Sequence, residues 1–474
     1  MPSPANRWNG WYPLLVGLFF GLAIWKFGNP VVLDRNITPP QTAGEWLQGP
    51  WPVSWAFPLA AAVVAAALPL ARPSFVRHPA RIPWPLVLIP AGWFAWQLVA
   101  ETHSVDAPLS TLAVRHFALV LVFYLVGLLL LARQPGSRML WVGLVAGLAV
   151  CLVRASNQRL VEFKGDREFL EEGQRTGWRQ VPPATLDEFR RSGLLVRTND
   201  TEVINPVILA KLQKARVYGT LVYPNALASL LLLLLPGALV VLWESGRDLR
   251  PAIRRGAVGL LGILGGACFY WTDSKAGWLV GVATGTAWLA TRNPGHRYRL
   301  PAIGLALLMG LGWFGLRFAS YFREGATSAS ARLDYWRAAV QTWRDQPIFG
   351  TGPGTFQRPY ARLKSPEAEM ARLTHNDYLE QFSDSGTPGG LLYLGWMGIA
   401  AWILLRRGIR DPAPANRALA WGLAAWFGHG WAEFTLYIPG LAWPAFTLLG
   451  WTLGSSVSQP STKFNATENL HPES

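Results

Sequence analysis

The chain has 474 residues, of which 51% are hydrophobic and only 15% charged, a balance that excludes an ordinary soluble domain and points to a membrane protein. A formal net charge of +15 raises nucleic acid as a partner, but the basic residues are dispersed among short loops between apolar runs and form no patch or stripe, which excludes that class. The two cysteines, Cys151 and Cys268, both fall inside apolar runs, so neither a disulfide framework nor a zinc site is on offer.

Taking about 20 apolar residues as one crossing, the sequence predicts spans near 11–28, 52–71, 83–101, 113–132, 138–154, 222–243, 255–271, 274–291, 300–319, 387–405, 417–431 and 435–455. No small-x-small cleavage pattern follows the first run, so it reads as a membrane helix and not a signal peptide. Many of the 25 tryptophans lie at or near the ends of these runs, as in Trp51/Trp55, Trp93/Trp96 and Trp421/Trp426, where an amphipathic ring suits the interface. Alternate short loops carry the arginines: Arg72, Arg77 and Arg81; Arg133 and Arg138; Arg247, Arg250, Arg254 and Arg255; Arg292, Arg297 and Arg299; Arg406, Arg407, Arg410 and Arg417. The positive-inside rule makes these loops cytoplasmic and places both termini with them. The fold class is thus an all-α polytopic membrane protein of about twelve transmembrane helices.

Its organisation follows. Residues 1–154 hold five helices, 155–221 a first long outer loop, 222–319 four helices, 320–386 a second long outer loop, 387–455 three helices and 456–474 a short disordered cytoplasmic tail. The first loop has polar helical pieces near Arg167–Glu172 and Leu186–Ser192 and returns to the membrane through Lys211, Lys214 and Arg216. In the second, Leu333, Trp336, Val340 and Trp343 recur at helical spacing, which predicts an amphipathic helix from about Ala331 to Arg344, stopped by Pro347. The glycine series Gly350–Gly354 lacks the spacing of a nucleotide fingerprint and reads as a tight turn.

Polar chemistry gathers in the outer loops. Thr374 and Asp377 fit a capping box that puts His375 in the first turn of a helix running to about Ser383, ended by the Gly386-Thr387-Pro388-Gly389 turn. A helix N-terminus favours a neutral imidazole, which suits a general base; a structural histidine capping a loop is the plainer alternative. Arg216, just before Tyr223-Pro224-Asn225, is either a headgroup anchor or an anion ligand. Lys275, in the Thr272-Asp273-Ser274-Lys275 knot, pairs with Asp273 or meets an anion. Arg332, Asp334, Tyr335 and Arg337 form a third cluster. Outer arginines beside a candidate base suit a lipid-linked anionic substrate, since guanidinium matches phosphate in a two-pronged geometry.

His375-Asn376, nine residues, then Gly386-x-x-Gly389 resembles the signature of the O-antigen ligase and O-antigen polymerase (Wzy-type) family of bacterial membrane glycosyltransferases. Tyr335-Trp336-Arg337 through Gly350-Thr351-Gly352, the Thr272-x-Ser274-Lys275 knot and Arg216-x-x-Gly219 to Pro224-Asn225 resemble it in the same order, across roughly residues 210–405. Lys275 departs from the arginine usual there. The resemblance implies a membrane glycosyltransferase of the C type in the bacterial inner membrane, its site facing the periplasm. It further implies an undecaprenyl-diphosphate-linked glycan as donor, a lipid A-core or glycan acceptor, and transfer without metal or nucleotide sugar. His375 is then the base and Arg216 and Arg332 bind the diphosphate, with Lys275, Asn225, Asn376, Tyr335 and Arg337 contacting substrate. Ligation, chain polymerisation and protein O-glycosylation share this donor chemistry. A transporter of a small anion or lipid-linked sugar is the alternative from another class; it calls for ionisable residues within the spans, which are almost free of charge here.

Overall fold

The computed structural model describes residues 10–68, 82–134, 136–198, 201–291, 297–323, 327–366 and 368–457. The basic loop residues Arg72, Arg77, Arg81 and Arg292 and most of the 456–474 tail lie outside them. In chain order the helices are α1 (Trp11–Lys26), α2 (Ala43–Gln48), α3 (Ala56–Ala65), α4 (Pro85–Glu101), α5 (Ala107–Leu125), α6 (Leu140–Asn157), α7 (Phe163–Thr176), α8 (Pro183–Arg191), α9 (Pro206–Lys214), α10 (Pro224–Ser245) and α11 (Pro251–Trp271). They continue as α12 (Lys275–Thr291), α13 (Arg299–Arg317), α14 (Ala319–Arg323), α15 (Thr327–Asp345), α16 (Gln357–Leu363), α17 (Asp377–Arg410), α18 (Pro414–His429) and α19 (Pro439–Val457). Each of the twelve expected positions holds a helix. Among the described residues, six stretches are long and apolar enough to cross a membrane by length and composition: Ala107–Arg133, Ser137–Thr176, Pro224–Asp248, Pro251–Trp271, Arg299–Arg317 and Asp377–Arg410. On α11 and α13, Leu260, Ile263, Leu300, Leu308 and Leu316 are strongly exposed, an apolar surface suited to lipid.

Two corrections bear on the boundaries. The fifth helix does not stop near 154: α6 runs through a π-helical turn at Gln158–Glu162 into α7, so that Ser137–Thr176 forms one 40-residue rod that carries the chain far beyond the apolar run. The first long loop also holds a two-stranded antiparallel hairpin, β1 (Leu195–Thr198) with β2 (Thr201–Ile204), pairing Leu195 with Ile204. Both ends of that pair are buried with Leu170 and Trp178 in a small core of their own. The expected helical pieces are α7 and α8, and the amphipathic helix is α15, which ends at Asp345, two residues before Pro347.

Close packing in the bundle depends on small residues. Gly17 and Gly21 on α1 face Gly143 and Gly147 on α6. A Cβ added at Gly143 would stand 2.0 Å from the Gly17 carbonyl carbon, and one at Gly17 2.3 Å from the Leu140 carbonyl oxygen. Spacing of four residues lets two backbones touch along a shared stripe. Helix α19, buried along almost its whole length, closes the core in the same way, Gly450 lying against the Tyr124 carbonyl and Gly440 donating to the Phe27 carbonyl at 3.0 Å. Gly143→Leu should therefore overpack this contact by about 1–3 kcal/mol or more, read as a lower melting temperature of the detergent-solubilised protein; an unchanged melting temperature would refute the packing.

Candidate active site

The second long loop packs against shorter segments at one end of the bundle. The 102–106 turn bonds the second long loop through Val105 N–H to the Thr351 carbonyl (2.9 Å) and through the Arg358–Asp106 ion pair (2.6 Å), and Arg372 reaches Asn36 at 2.9 Å. At the other end Arg138 pairs with Glu244 at 3.4 Å, joining two of the arginine-bearing short loops.

Helix α17 organises the site, although not by the expected cap. Its N-cap is Asn376, whose Oδ1 accepts from the N–H groups of Tyr378 (3.1 Å) and Leu379 (3.0 Å). His375 is thus outside the helix, with φ +54°, a left-handed conformation that is uncommon for a residue with a Cβ, though histidine is among those enriched there. Thr374 does not cap Asp377: its N–H and hydroxyl donate to Glu380 Oε2 at 3.1 and 3.0 Å. Nor does the glycine-proline turn end the helix. Gly386, at φ +67° and ψ −170°, breaks the helical path and α17 resumes at once. The break accommodates the 347–354 loop, because a Cβ on Gly386 would lie 2.0 Å from the Ile348 carbonyl oxygen. Gly350, Gly352 and Gly354 all have positive φ there, so the series forms the expected tight turn.

Asp377 is the other product of this start. Its N–H donates to the Gly430 carbonyl at 2.8 Å, and its carboxylate accepts from Leu436 N–H and the Thr435 hydroxyl, each at 3.1 Å. That pins the short segment between α18 and α19 against His375 and presents Glu433. Fully buried, Glu433 accepts four donors: His375 Nδ1 (3.2 Å) and the Tyr223 hydroxyl (2.5 Å) on Oε2, and Asn225 Nδ2 (2.5 Å) and the Arg332 guanidinium on Oε1. Burial pushes its pKa upward, but Arg332 and His375 outweigh burial and hold it well below the usual carboxylate range. Arg216 joins through Asn225, donating to Asn225 Oδ1 at 2.8 Å and to the Thr272 carbonyl at 2.7 Å. The imidazole sits among Phe434 (ring centroids 4.6 Å apart), Tyr335 (5.8 Å) and Tyr223 (6.1 Å). With Nδ1 engaged, His375 Nε2 makes no hydrogen bond among the described residues.

The structure therefore brings His375, Arg332, Arg216, Asn225 and Tyr335 together and leaves three expected residues apart. Asn376 is spent on its cap. Arg337 is exposed, lining a groove with Leu333, Trp336 and Val340. Lys275 lies 3.5 Å from Asp273 and over the rings of Phe318 and Tyr321. Glu433 and Tyr223 are the partners that sequence reasoning missed. A signal existed: Glu433 is the only Asp, Glu, Lys or Arg between Arg417 and Lys463, and a lone ionisable residue between apolar spans is by default a functional candidate. Among the described residues no group of three or more His, Cys, Asp or Glu side chains is placed to hold a metal ion.

An imidazole held through Nδ1 by a buried carboxylate, beside two guanidinium groups at the rim of a polytopic helical bundle, is an arrangement suited to a membrane glycosyltransferase of the ligase or polymerase type. Residues 260–394 match the family model described as O-Antigen ligase, which supports the O-antigen ligase/polymerase family for this chain. The matched segment contains Lys275, Arg332, Tyr335, Arg337, His375 and Asn376; Arg216, Asn225 and Glu433 lie outside it. No curated protein matches the chain.

Glu433 also predicts a pH dependence. Because its folded pKa lies below the usual 4.5, the stability it contributes is fully present above pH 4.5 and is lost as pH falls through and below that value. Glu433→Gln removes the charge partner of the partly buried Arg332, so the variant should melt below wild type at pH 7, with the gap narrowing below pH 4.5. A gap independent of pH would contradict the assignment.

Proposed function

We propose that the protein transfers a glycan from undecaprenyl diphosphate to an acceptor hydroxyl at the periplasmic face of the inner membrane, with His375 as general base. The observation that carries this reading is the Nδ1 contact of His375 with Glu433, which fixes the tautomer that leaves a lone pair on Nε2. The acceptor hydroxyl gives its proton to Nε2 as its oxygen attacks the anomeric carbon; the bond from that carbon to the diphosphate oxygen breaks, and the single displacement inverts the centre. Glu433 stabilises the imidazolium formed, as the acid partner does in a catalytic triad. Negative charge grows on the departing diphosphate. Arg332, whose buried Nε has no partner among the described residues, and Arg216 supply the cations that meet it, and preorganised charge of this kind is most effective where water is excluded. Lipid A-core and a growing polysaccharide both offer the required hydroxyl.

General-base contributions are typically about 100- to 10,000-fold, so His375→Ala should abolish detectable transfer while the protein still folds and inserts. His375→Gln should not rescue it, because an amide positions a hydroxyl but takes no proton; near wild-type turnover by either variant would defeat the assignment.

Arg216→Ala and Arg332→Ala should each lose about 100- to 1,000-fold by analogy with oxyanion donors, with lysine recovering only part because an ammonium lacks the planar fork. Activity should persist in excess chelator. Full activity of the Arg216→Ala/Arg332→Ala double variant, or a requirement for added Mg²⁺, would overturn the leaving-group role.

Orientation is tested separately. On intact spheroplasts an impermeant thiol reagent should label Ser328→Cys and spare Asp248→Cys, both positions being exposed; the reverse pattern inverts the topology. Glycolipid profiles of a deletion strain separate the activities: unattached long chains mark a lost ligase, single repeat units a lost polymerase.

A further inference from the structure

A cavity of about 460 Å³ opens between the end of α1, helix α2 and the 218–222 segment, within the range of about 300–1,000 Å³ usual for small-molecule sites. The chain runs directly from it to the Glu433 cluster: Val222 lines the cavity, while the next residue, Tyr223, donates to Glu433. Its floor is fixed. Gln158, in the π-helical turn, accepts from the N–H groups of Tyr218 (3.1 Å) and Gly219 (2.8 Å) and donates to the Gly219 carbonyl at 3.0 Å. Its outer wall is held by the buried Lys26 ammonium, which donates to the carbonyls of Trp46 and Leu47 at 2.7 Å and Gly49 at 3.1 Å. A buried cation spent on three carbonyls is an expensive way to position a loop unless the loop shapes something.

The lining selects the ligand. Asn29, Gln48 and the Tyr218 hydroxyl line the cavity and make no side-chain hydrogen bond among the described residues, while Trp25 and Tyr218 offer ring surface. The one lining arginine, Arg154, is paired with Glu162, and Glu45 adds a carboxylate, so the cavity has no free cation for a phosphate. Amides and a phenol that both donate and accept match the hydroxyl pairs of a sugar, and aromatic surface matches its C–H faces. We infer that this cavity is a sugar-binding subsite that holds an uncharged unit of the glycan while its end reacts at His375; the inference rests on the glycan-transfer reading above.

Gly44 provides a blocking variant, because a Cβ there meets only Thr42 Oγ1, at 4.0 Å, and otherwise open space. The probe is the delipidated oligosaccharide released by mild acid from the producing strain's own surface polysaccharide, titrated against the full-length purified protein by calorimetry. Wild type and His375→Ala should bind it equally, whereas Gly44→Phe and Tyr218→Ala should weaken binding at least tenfold. In transfer assays these two variants should raise KM at least fivefold with kcat within twofold. Binding to Gly44→Phe as tight as to wild type, no binding to wild type, or a loss confined to kcat overturns the subsite. If wild type binds the oligosaccharide but transfers no glycan from an undecaprenyl-diphosphate-linked donor, the function fails and the subsite stands; if transfer from that donor proceeds with KM unmoved in both variants, the subsite fails and the function stands.

Discussion

Everything at the reactive end depends on one buried carboxylate being held without becoming neutral. Glu433 is taken wholly out of water, which would ordinarily drive it to accept a proton, yet four donors from three separate parts of the chain converge on its two oxygens. Tyr223 and Asn225 come from the mouth of α10, Arg332 from α15 and His375 from the turn before α17. Each loses its common partner if the carboxylate moves. Asp377 prevents that movement by tying the Glu433 segment to the first residue of α17, so the histidine and its partner are fixed from the same helix end.

The break at Gly386 extends the same logic. A straight helix would carry α17 through the space of the 347–354 loop; the left-handed glycine lets that loop bond to the helix backbone, with Thr351 and Gly352 donating to the Ser383 and Asp384 carbonyls at 3.1 and 2.9 Å. Asp384 then accepts from Gly354 N–H (2.7 Å) and the Tyr437 hydroxyl (3.1 Å). Loop, broken helix and the segment before α19 become one hydrogen-bonded unit, and such fully satisfied polar networks give a rigid platform.

The helices were legible because about 20 apolar residues announce a crossing in any context, and the periodicity of Leu333, Trp336, Val340 and Trp343 announced α15. His375, Arg216 and Arg332 were legible because they sit in polar clusters between such runs. Glu433 stood out only by its isolation, and its role was not legible, since the role of a carboxylate lies in which donors reach it, and those stand 101 and 208 residues away in the cases of Arg332 and Asn225. The cap was misplaced for a related reason. Thr374 and Asp377 have the right spacing, but buried Glu380 claims the threonine and the Glu433 segment claims the aspartate, so the capping falls to Asn376. The hairpin at 195–204 escaped because two four-residue strands give too short an alternation to stand out.

The glycine stripes carry a consequence for biogenesis. Helix α1 is made long before α6 exists to cover Gly17 and Gly21, and α19 follows some 300 residues after the α5 segment it seals at Tyr124. Between those moments the nascent bundle exposes flat, weakly packed faces to lipid. The segment bearing Glu433 is translated after α18 and immediately before α19, so His375 acquires its partner only once both α17 and α18 have been made. A chain released early from the translocon would hold Arg216, Arg332 and His375 but not the carboxylate on which Arg332 and His375 converge.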